Sequence, residues 1–431
     1  MFNPSKILFF FNYLHHSVFS FLFSPQKTAD KVAKEAEPFI LSGISSGTLP
    51  AHNPYLEQGM FMKILLAGHG SIGRAFEAIY RDRQCPDELT VCDLRNGENC
   101  LDLIRNNPGK WDLIINLTGM MTEDILPFCL EHGLNYIDAA FEDESIEVGE
   151  QEDPTVYYRH YQDLLATKAG KSRVMLGFGM NPGIIEHIYF THKPAGRHIA
   201  IELEYDSAEK DGEVFCTWSP VSYFLESVRA AKIITTRKHP YQNFASILKN
   251  RLPIRLTTDG QLRDYCVIPH EESFYVMKNA PECEAFAFFY QAPLSCQQFM
   301  QSHIGQMTPE DVRAVPVLHD VRGQDSVGML FYDYTDNLYY VRNRGDHQKI
   351  FRKFGSNATC WQTACGVFVA YRLISLLKPG EVVTMSDISA RFRPEIDEVL
   401  RELDFQITRD DYAINPEEFR KNVLSWLQPQ L

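Results

Sequence analysis

The chain has 431 residues, of which 45% are hydrophobic and 23% charged. That is the balance of a soluble globular protein, not of a collagen-like fibre, a disordered acidic tail or a multi-span membrane protein. Against 42 Lys and Arg stand 56 Asp and Glu, a formal charge of −14, which disfavours non-specific nucleic-acid binding and suits a cationic partner or plain solubility. The 10 cysteines form no C-x-x-C pair and no Cys/His cluster at zinc spacing. A reduced, cytoplasmic protein without a metal is the simplest reading.

Residues 7–24 are apolar and aromatic and follow Lys6, as in a signal peptide. Asn12, His15 and His16 interrupt the run, and no small-x-small cleavage site follows. It is also short and broken for a membrane span. Residues 28–60 read as a polar linker. The segment 1–60 is therefore read as a mis-called start or a disordered extension, ahead of a membrane anchor. Within it Lys6, Lys27, Lys31 and Lys34 balance Asp30, Glu35, Glu37 and Glu57, so the negative charge belongs to the body of the protein.

The body opens with KILLA at 63–67, a short apolar run expected of a strand buried on both faces. It runs into Gly68-His69-Gly70-Ser71-Ile72-Gly73, a G-x-G-x-x-G, and then into helical spacing of Ala75, Ala78 and Ile79. A second strand at 89–92 ends at Asp93. Strand, glycines, helix, strand and acid in register form a dinucleotide fingerprint. Gly68 makes the tight turn, Gly70 admits the pyrophosphate, and Gly73 allows close helix–strand packing. The helix N-terminus supplies N–H donors. Asp93 suits a ribose 2′-hydroxyl and repels a 2′-phosphate, so NAD is expected over NADP, with Arg95 nearby weakening that preference.

Further strands are expected at 111–117, 134–140 and 173–176, and a helix at 122–132. From about 198 to 350 the runs alternate and are aromatic-rich, as at 199–205 and 285–290, which points to an α+β domain with an antiparallel sheet. Residues 357–377 have a helical period. The expected fold is α/β: a Rossmann-type doubly wound parallel sheet with a second α+β substrate domain. The expected divisions are an extension at 1–60, an NAD-binding domain at 62–183, a substrate domain at 184–354, and a helical segment at 355–431 packing back on the first domain.

Ligands of such sheets lie beyond the strand ends, and several polar residues fall there. Glu142 follows 134–140, and Asn181 lies in Gly179-Met180-Asn181-Pro182-Gly183. Glu204 and Asp206 end the run at 199–205. Trp218 precedes Ser219, a plausible N-cap, and Pro220 at the first helical position. Glu226 follows two turns later, and His270 lies in Pro269-His270-Glu271-Glu272. Each alone reads as an ordinary surface or capping group, and a Trp more often belongs to a core. Only convergence would make them a site.

These motifs, in order, resemble those of the bacterial homospermidine synthases, within the saccharopine dehydrogenase-like group. Gly68–Gly73 resembles the family's G-x-G-S-I-G, and Phe141-Glu142 stands at the place of V-E-P-W. Residues 179–183 resemble G-A-N-P-G, and Glu204-Tyr205-Asp206-Ser207 resembles E-R-D-T. Thr217-Trp218-Ser219 with Glu226 eight residues on resembles T-W-S with its downstream Glu, the most specific of the set. Residues 269–273 resemble T-H-x-E-[SA], those from Asp325 to Leu330 resemble D-E-L-G-V-L, and Asn357-Ala358-Thr359 resembles N-A-T-S. Pro220 departs from an aliphatic position, and Glu142 is followed by Asp-Glu instead of Pro-Trp.

The resemblance implies an NAD-dependent alkyl transferase that joins two aminobutyl units. The carbon beside a putrescine amine gives up hydride, a second amine attacks the imine, ammonia leaves, and the hydride returns. Glu142, Glu204, Asp206 and Asp325 would hold the cationic amine, and Trp218, Glu226, His270 and Asn181 would carry the chemistry, with Glu226 or His270 as the base. The dinucleotide positions are Gly68, Gly70, Ser71, Ile72, Gly73, Asp93, Thr118, Asn357 and Thr359. Putrescine and spermidine are the expected partners, with no nucleic acid, no stable membrane association and a homodimer. The alternatives are a saccharopine or carboxynorspermidine dehydrogenase, whose substrates carry a carboxylate and need Arg or Lys, and an inactive NAD-binding scaffold.

Overall fold

The structure is a computed structural model that describes residues 61–107, 109–119, 122–140, 162–224, 233–237, 242–243, 253–268, 270–303, 306–307, 309–335 and 337–427. The extension at 1–60, Glu142 and Glu226 lie outside the described residues.

The first half is built of β1 (Lys63–Ala67), α1 (Ser71–Asp82), β2 (Glu88–Cys92), α2 (Cys100–Asn106), β3 (Leu113–Asn116), α3 (Thr122–Glu131), β4 (Asn135–Asp138), β5 (Val174–Met175) and α4 (Ile184–His192). Ile64, Leu65 and Leu66 of β1 and Leu113, Ile114 and Ile115 of β3 have no exposed surface, because a parallel strand covered on both faces has no solvent side. Asn99 starts α2 by accepting from the Leu101 and Asp102 N–H groups.

After α4 the pattern changes. β6 (His198–Asp206), α5 (Pro220–Phe224), β7 (Ile233–Thr236), β8 (Gln242–Asn243), β9 (Ile254–Thr258) and β10 (Gln261–Ile268) come first. α6 (Glu272–Asn279), β11 (Cys283–Gln291), α7 (Leu294–Ser302), α8 (Pro309–Arg313), β12 (Gln324–Asp333) and β13 (Leu338–Asp346) follow. Ser219 accepts from the Ser222 N–H at the start of α5, as its spacing predicted.

The C-terminal part contains α9 (His347–Phe354), α10 (Ala358–Leu373), β14 (Val382–Val383), α11 (Met385–Ile388), α12 (Arg393–Glu402) and β15 (Ile407–Asp410). α10 lies against α1 through ring contacts between Phe76 and Phe368 at 6.3 Å and Tyr80 and Tyr371 at 5.5 Å. This part is not helical throughout. β14 pairs with β5 and β15 with β13, strands too short to show a period of two in the sequence.

The first sheet has the order β14-β5-β4-β3-β1-β2, with every pair parallel. The order reverses between β1 and β3, the switch point where such sheets bind ligands. The second sheet runs β15-β13-β12-β6-β11-β10-β9, with β7 added at β11. Among its described strands only β6 and β11 are parallel. The fold is thus a Rossmann-type parallel sheet with a second α+β layer, as the sequence indicates.

The two halves meet across backbone. A Cβ on Gly366 of α10 would lie 1.9 Å from the Gly179 carbonyl oxygen, and one on Gly183 2.2 Å from the same atom. Side chains are excluded there, and the 177–183 loop is clamped between α10 and β4. No described helix is long and apolar enough to cross a membrane, and all ten cysteines are free thiols.

Candidate active site

The glycine loop follows β1 and starts α1. Gly68 has φ +94°, and a Cβ on it would lie 2.3 Å from the Leu117 carbonyl oxygen; a Cβ on Gly73 would lie 2.2 Å from the Gly68 oxygen. These two glycines serve the turn and the packing. Gly70 differs: a Cβ there would meet nothing within 4 Å, which leaves open space in front of the helix. Arg74 N–H is the first to bond in the helix, to Gly70 O, so the N–H groups of Ser71, Ile72 and Gly73 precede the ladder. That is an anion cradle. Asp93 follows β2, and both of its oxygens accept from the Arg95 guanidinium, which holds its carboxyl below the ordinary range. Thr118 donates to Asn116.

His319 ties this loop to the second half. Its Nδ1 accepts from the Asn357 N–H at 3.3 Å, which places the proton on Nε2, 3.1 Å from the Ser71 hydroxyl. The Asn357 amide donates to the Thr217 and Leu318 carbonyls at 2.7 and 2.8 Å, and its oxygen caps α10 by accepting from Cys360. The Asn357 side chain is thus committed to the frame that carries Trp218 and His319, a different duty from the dinucleotide contact expected of it. Thr359 also sits elsewhere, with its hydroxyl 3.5 Å from Asp206 and beside Asp325.

On β6 alternate residues face opposite ways. Ile199, Ile201, Leu203 and Tyr205 enter one apolar layer. Glu202, Glu204 and Asp206 share the other face and are all buried. The register sets Asp325 opposite Asp206, Val327 opposite Glu204 and Met329 opposite Glu202 on β12, and Tyr290 opposite Glu204 and Phe288 opposite Glu202 on β11. Burial pushes the Glu204 carboxyl up to about 8, against the pull of the Asn181 amide that donates to it at 2.6 Å. Burial, then Glu204 and Asp206, push Asp325 well above the carboxylate range.

Asp206 is different from its neighbours. It accepts from the Ala208 N–H at 2.7 Å, from His347 Nε2 at 3.0 Å and from the Thr217 hydroxyl. The Ala358 N–H donates to His347 Nδ1 at 3.0 Å, which leaves the Nε2 proton of the ring for Asp206. Asp206 therefore joins β6, the Thr217 segment and the start of α10, and its oxygens are taken up by protein donors.

Trp218 is half-buried, and its indole N–H donates to the Tyr290 hydroxyl at 2.8 Å. His270 lies edge-on to Phe288 at 5.2 Å, and its Nδ1 is 2.6 Å from Glu272 Oε2. His270, Glu271 and Glu272 bring three ligand atoms within 4.8 Å of one another, a group able to hold a cation. Asp138, at the end of β4, accepts from the Gly177 N–H at 2.7 Å and from Thr122. Burial raises it to about 7, and Glu271 adds to the shift. The row of acids on β6 thus reaches the strand ends of the parallel sheet. Sequence reasoning placed Asn181, Glu204, Trp218, His270 and Asp325 here, and missed Asp138, Glu202, Tyr290 and His319.

No protein-family model matches the chain, and no curated protein matches it. Among solved structures it is similar to the homospermidine synthase of Legionella pneumophila in complex with NAD, with TM-score 0.64 and 13% identity over 82% of this chain and 92% of that chain. It also aligns with saccharopine dehydrogenase (L-Glu forming) of Saccharomyces cerevisiae, with TM-score 0.47 and 9% identity over 81% of this chain and 99% of that chain. A third alignment is with amine dehydrogenase of Mycobacterium smegmatis, with TM-score 0.36 and 11% identity over 75% of this chain and 95% of that chain. At these identities the likeness is one of fold, and of these three alignments it rests on the Legionella structure.

Proposed function

We propose that the protein is an NAD-dependent enzyme of small cationic amines, and specifically a homospermidine synthase. It would transfer an aminobutyl group from putrescine, or from spermidine, to putrescine with no net redox change. One observation carries this reading. Glu202, Glu204 and Asp325 are buried acids facing the strand ends of the dinucleotide fold, and among the described residues none is paired with a lysine or arginine. A diamine is a dication at neutral pH, and a desolvated row of acids attracts it more strongly than a surface would. A substrate with a carboxylate would need a guanidinium there, which argues against a saccharopine-type reaction.

The dinucleotide fits the loop: Gly70 leaves room, the Ser71, Ile72 and Gly73 N–H groups suit a pyrophosphate, and Asp93 suits a ribose hydroxyl in competition with Arg95. Bound NAD supplies hydride acceptance and return at the carbon beside nitrogen. The chain supplies the rest. Glu204 and Asp325 draw the ammonium ends, and Asn181 holds the Glu204 carboxylate in place. Trp218 offers its π face to a cation, worth roughly 0.5–2 kcal/mol, with Tyr290 fixing the indole. His270 accepts the proton that an ammonium must lose before its carbon can give up hydride. Burial of the acids keeps water from an imine. Glu142 and Glu226 remain part of the proposal on the resemblance alone, as does a homodimer.

The test is incubation of the protein with putrescine and substoichiometric NAD. Homospermidine and ammonia are expected in large molar excess over the cofactor. NADH accumulating in step with product would indicate a dehydrogenase. A protein that binds NAD and converts no amine would overturn the reading.

A further inference from the structure

Asn357 and His319 fix the direction of a hydrogen-bond chain. The Asn357 backbone N–H is a donor that cannot turn round, and it meets His319 Nδ1 at 3.3 Å. Nδ1 must therefore accept, and the ring hydrogen stands on Nε2, 3.1 Å from the Ser71 hydroxyl oxygen. Arg74 also lies 3.4 Å from Nε2, but a guanidinium only donates, so it is no partner for a protonated Nε2. Burial and that same guanidinium hold the His319 ring below its ordinary value, which keeps it neutral, with one donor and one acceptor. The Ser71 oxygen thus accepts from His319, and its own hydrogen is left to give away.

That hydrogen has two places to go. The Cys360 thiol lies beside Ser71, yet it donates its own hydrogen to the Thr217 carbonyl at 3.3 Å, and sulfur is a weak acceptor. The other place is the space before Gly70, where a Cβ would meet nothing within 4 Å and where the Ser71, Ile72 and Gly73 N–H groups precede the helix ladder. An anionic oxygen there is the stronger acceptor.

We propose that His319 is a positioning residue for the cofactor: by donating to Ser71 it turns the Ser71 hydroxyl into a donor to the dinucleotide pyrophosphate. His319 belongs to the second half of the chain. Leu318, just before it, donates its N–H to the Cys216 carbonyl at 3.0 Å, and the Cys216 N–H donates to the Pro316 carbonyl at 2.9 Å. The Asn357 amide bridges the Thr217 and Leu318 carbonyls. The paired segments that carry Trp218 therefore also carry the group that aims Ser71, and the pyrophosphate site is incomplete without them. The proposal rests on the dinucleotide reading of the loop and not on the identity of the amine.

The experiment is a double-mutant cycle on NAD affinity, read by isothermal titration of the full chain, with thermal midpoints as a check on folding. Ser71→Ala and His319→Leu should each weaken NAD binding by about tenfold or more, the value of one hydrogen bond to a charged group. Ser71→Ala combined with His319→Leu should bind as Ser71→Ala alone does, to within about twofold, because the second change has nothing left to act through. His319→Gln keeps a donor in place of Nε2 and should bind NAD at least about threefold more tightly than His319→Leu. Losses that multiply to about a hundredfold in the double variant would overturn the proposal, as would equal losses with glutamine and leucine. If His319→Leu fails to fold, wild-type NAD affinity in Ser71→Ala overturns it. No readout needs turnover. A protein that makes no homospermidine but couples these residues keeps the link. One that makes homospermidine with an NAD affinity indifferent to His319 keeps the reaction and loses the link.

Discussion

The Trp218 indole donates to the Tyr290 hydroxyl at 2.8 Å, and Tyr290 stands directly across the β6–β11 pair from Glu204. The one tryptophan singled out in the sequence is therefore anchored a single residue away from a buried acid. The anchor fixes the ring plane.

Trp218→Ala should lower kcat/KM for putrescine while NAD binding stays within about twofold. The cation–π share alone, about 0.5–2 kcal/mol, corresponds to about 2- to 30-fold in rate. Tyr290→Phe, which removes only the anchor, should fall in the lower part of that range. Steady-state kinetics with parallel NAD titration by fluorescence checks both, and full activity of the alanine variant would remove the indole from the mechanism.

Gly70 and Gly73 should separate binding from folding. A Cβ at Gly73 meets the Gly68 oxygen at 2.2 Å, whereas one at Gly70 meets no protein atom within 4 Å. Gly73→Ala should therefore lower the thermal midpoint by several degrees, in line with about 1–3 kcal/mol of overpacking. Gly70→Ala should keep nearly the wild-type midpoint and lose NAD affinity, because the added methyl fills the space left for the pyrophosphate. Calorimetric scans with and without NAD distinguish the two.

The Asp93–Arg95 pair bears on cofactor choice. Asp93→Ala removes a charged acceptor, worth about 1.5–3 kcal/mol in a hydrogen bond, and frees Arg95. NAD affinity should fall by about tenfold or more, and NADP affinity should rise. Isothermal titration with both dinucleotides reads this directly, and wild-type protein that binds NADP as well as NAD would contradict the role given to Asp93.

Glu204, raised to about 8, and Asp138, raised to about 7, make stability depend on pH. Between the ordinary carboxylate range and these values the folded state binds more protons than the unfolded chain. Stability from these groups is therefore lost as pH rises through that window. Glu204→Gln should flatten the decline of the thermal midpoint between pH 5 and 9. Putrescine favours the ionised form of Glu204, so its binding near pH 7 should release protons. Calorimetry in buffers of different ionisation enthalpy measures that release, and proton uptake would contradict a Glu204–ammonium contact.

The sequence made the dinucleotide loop legible because its requirements are local: a strand, three glycines and an acid at a fixed distance. It also exposed residues just beyond strand ends, which is why Asn181, Glu204 and Trp218 could be named. The alternation of Glu202, Glu204 and Asp206 was equally visible, but a polar face with period two ordinarily meets solvent, whereas here it faces the interior. Asp138 was hidden inside an apolar strand. His319 was hidden because its partners, Ser71 and Asn357, are 248 and 38 residues away. Asn357 matched a motif, yet its amide was already spent on backbone carbonyls, a fact that only tertiary structure can supply.

The Gly179, Gly183 and Gly366 contact has an evolutionary corollary. Main chain touches main chain there, so no exchange of side chains can widen or narrow the gap it defines. A lineage descending from this protein would have to keep glycine at all three positions or rebuild the joint between α10 and the 177–183 loop.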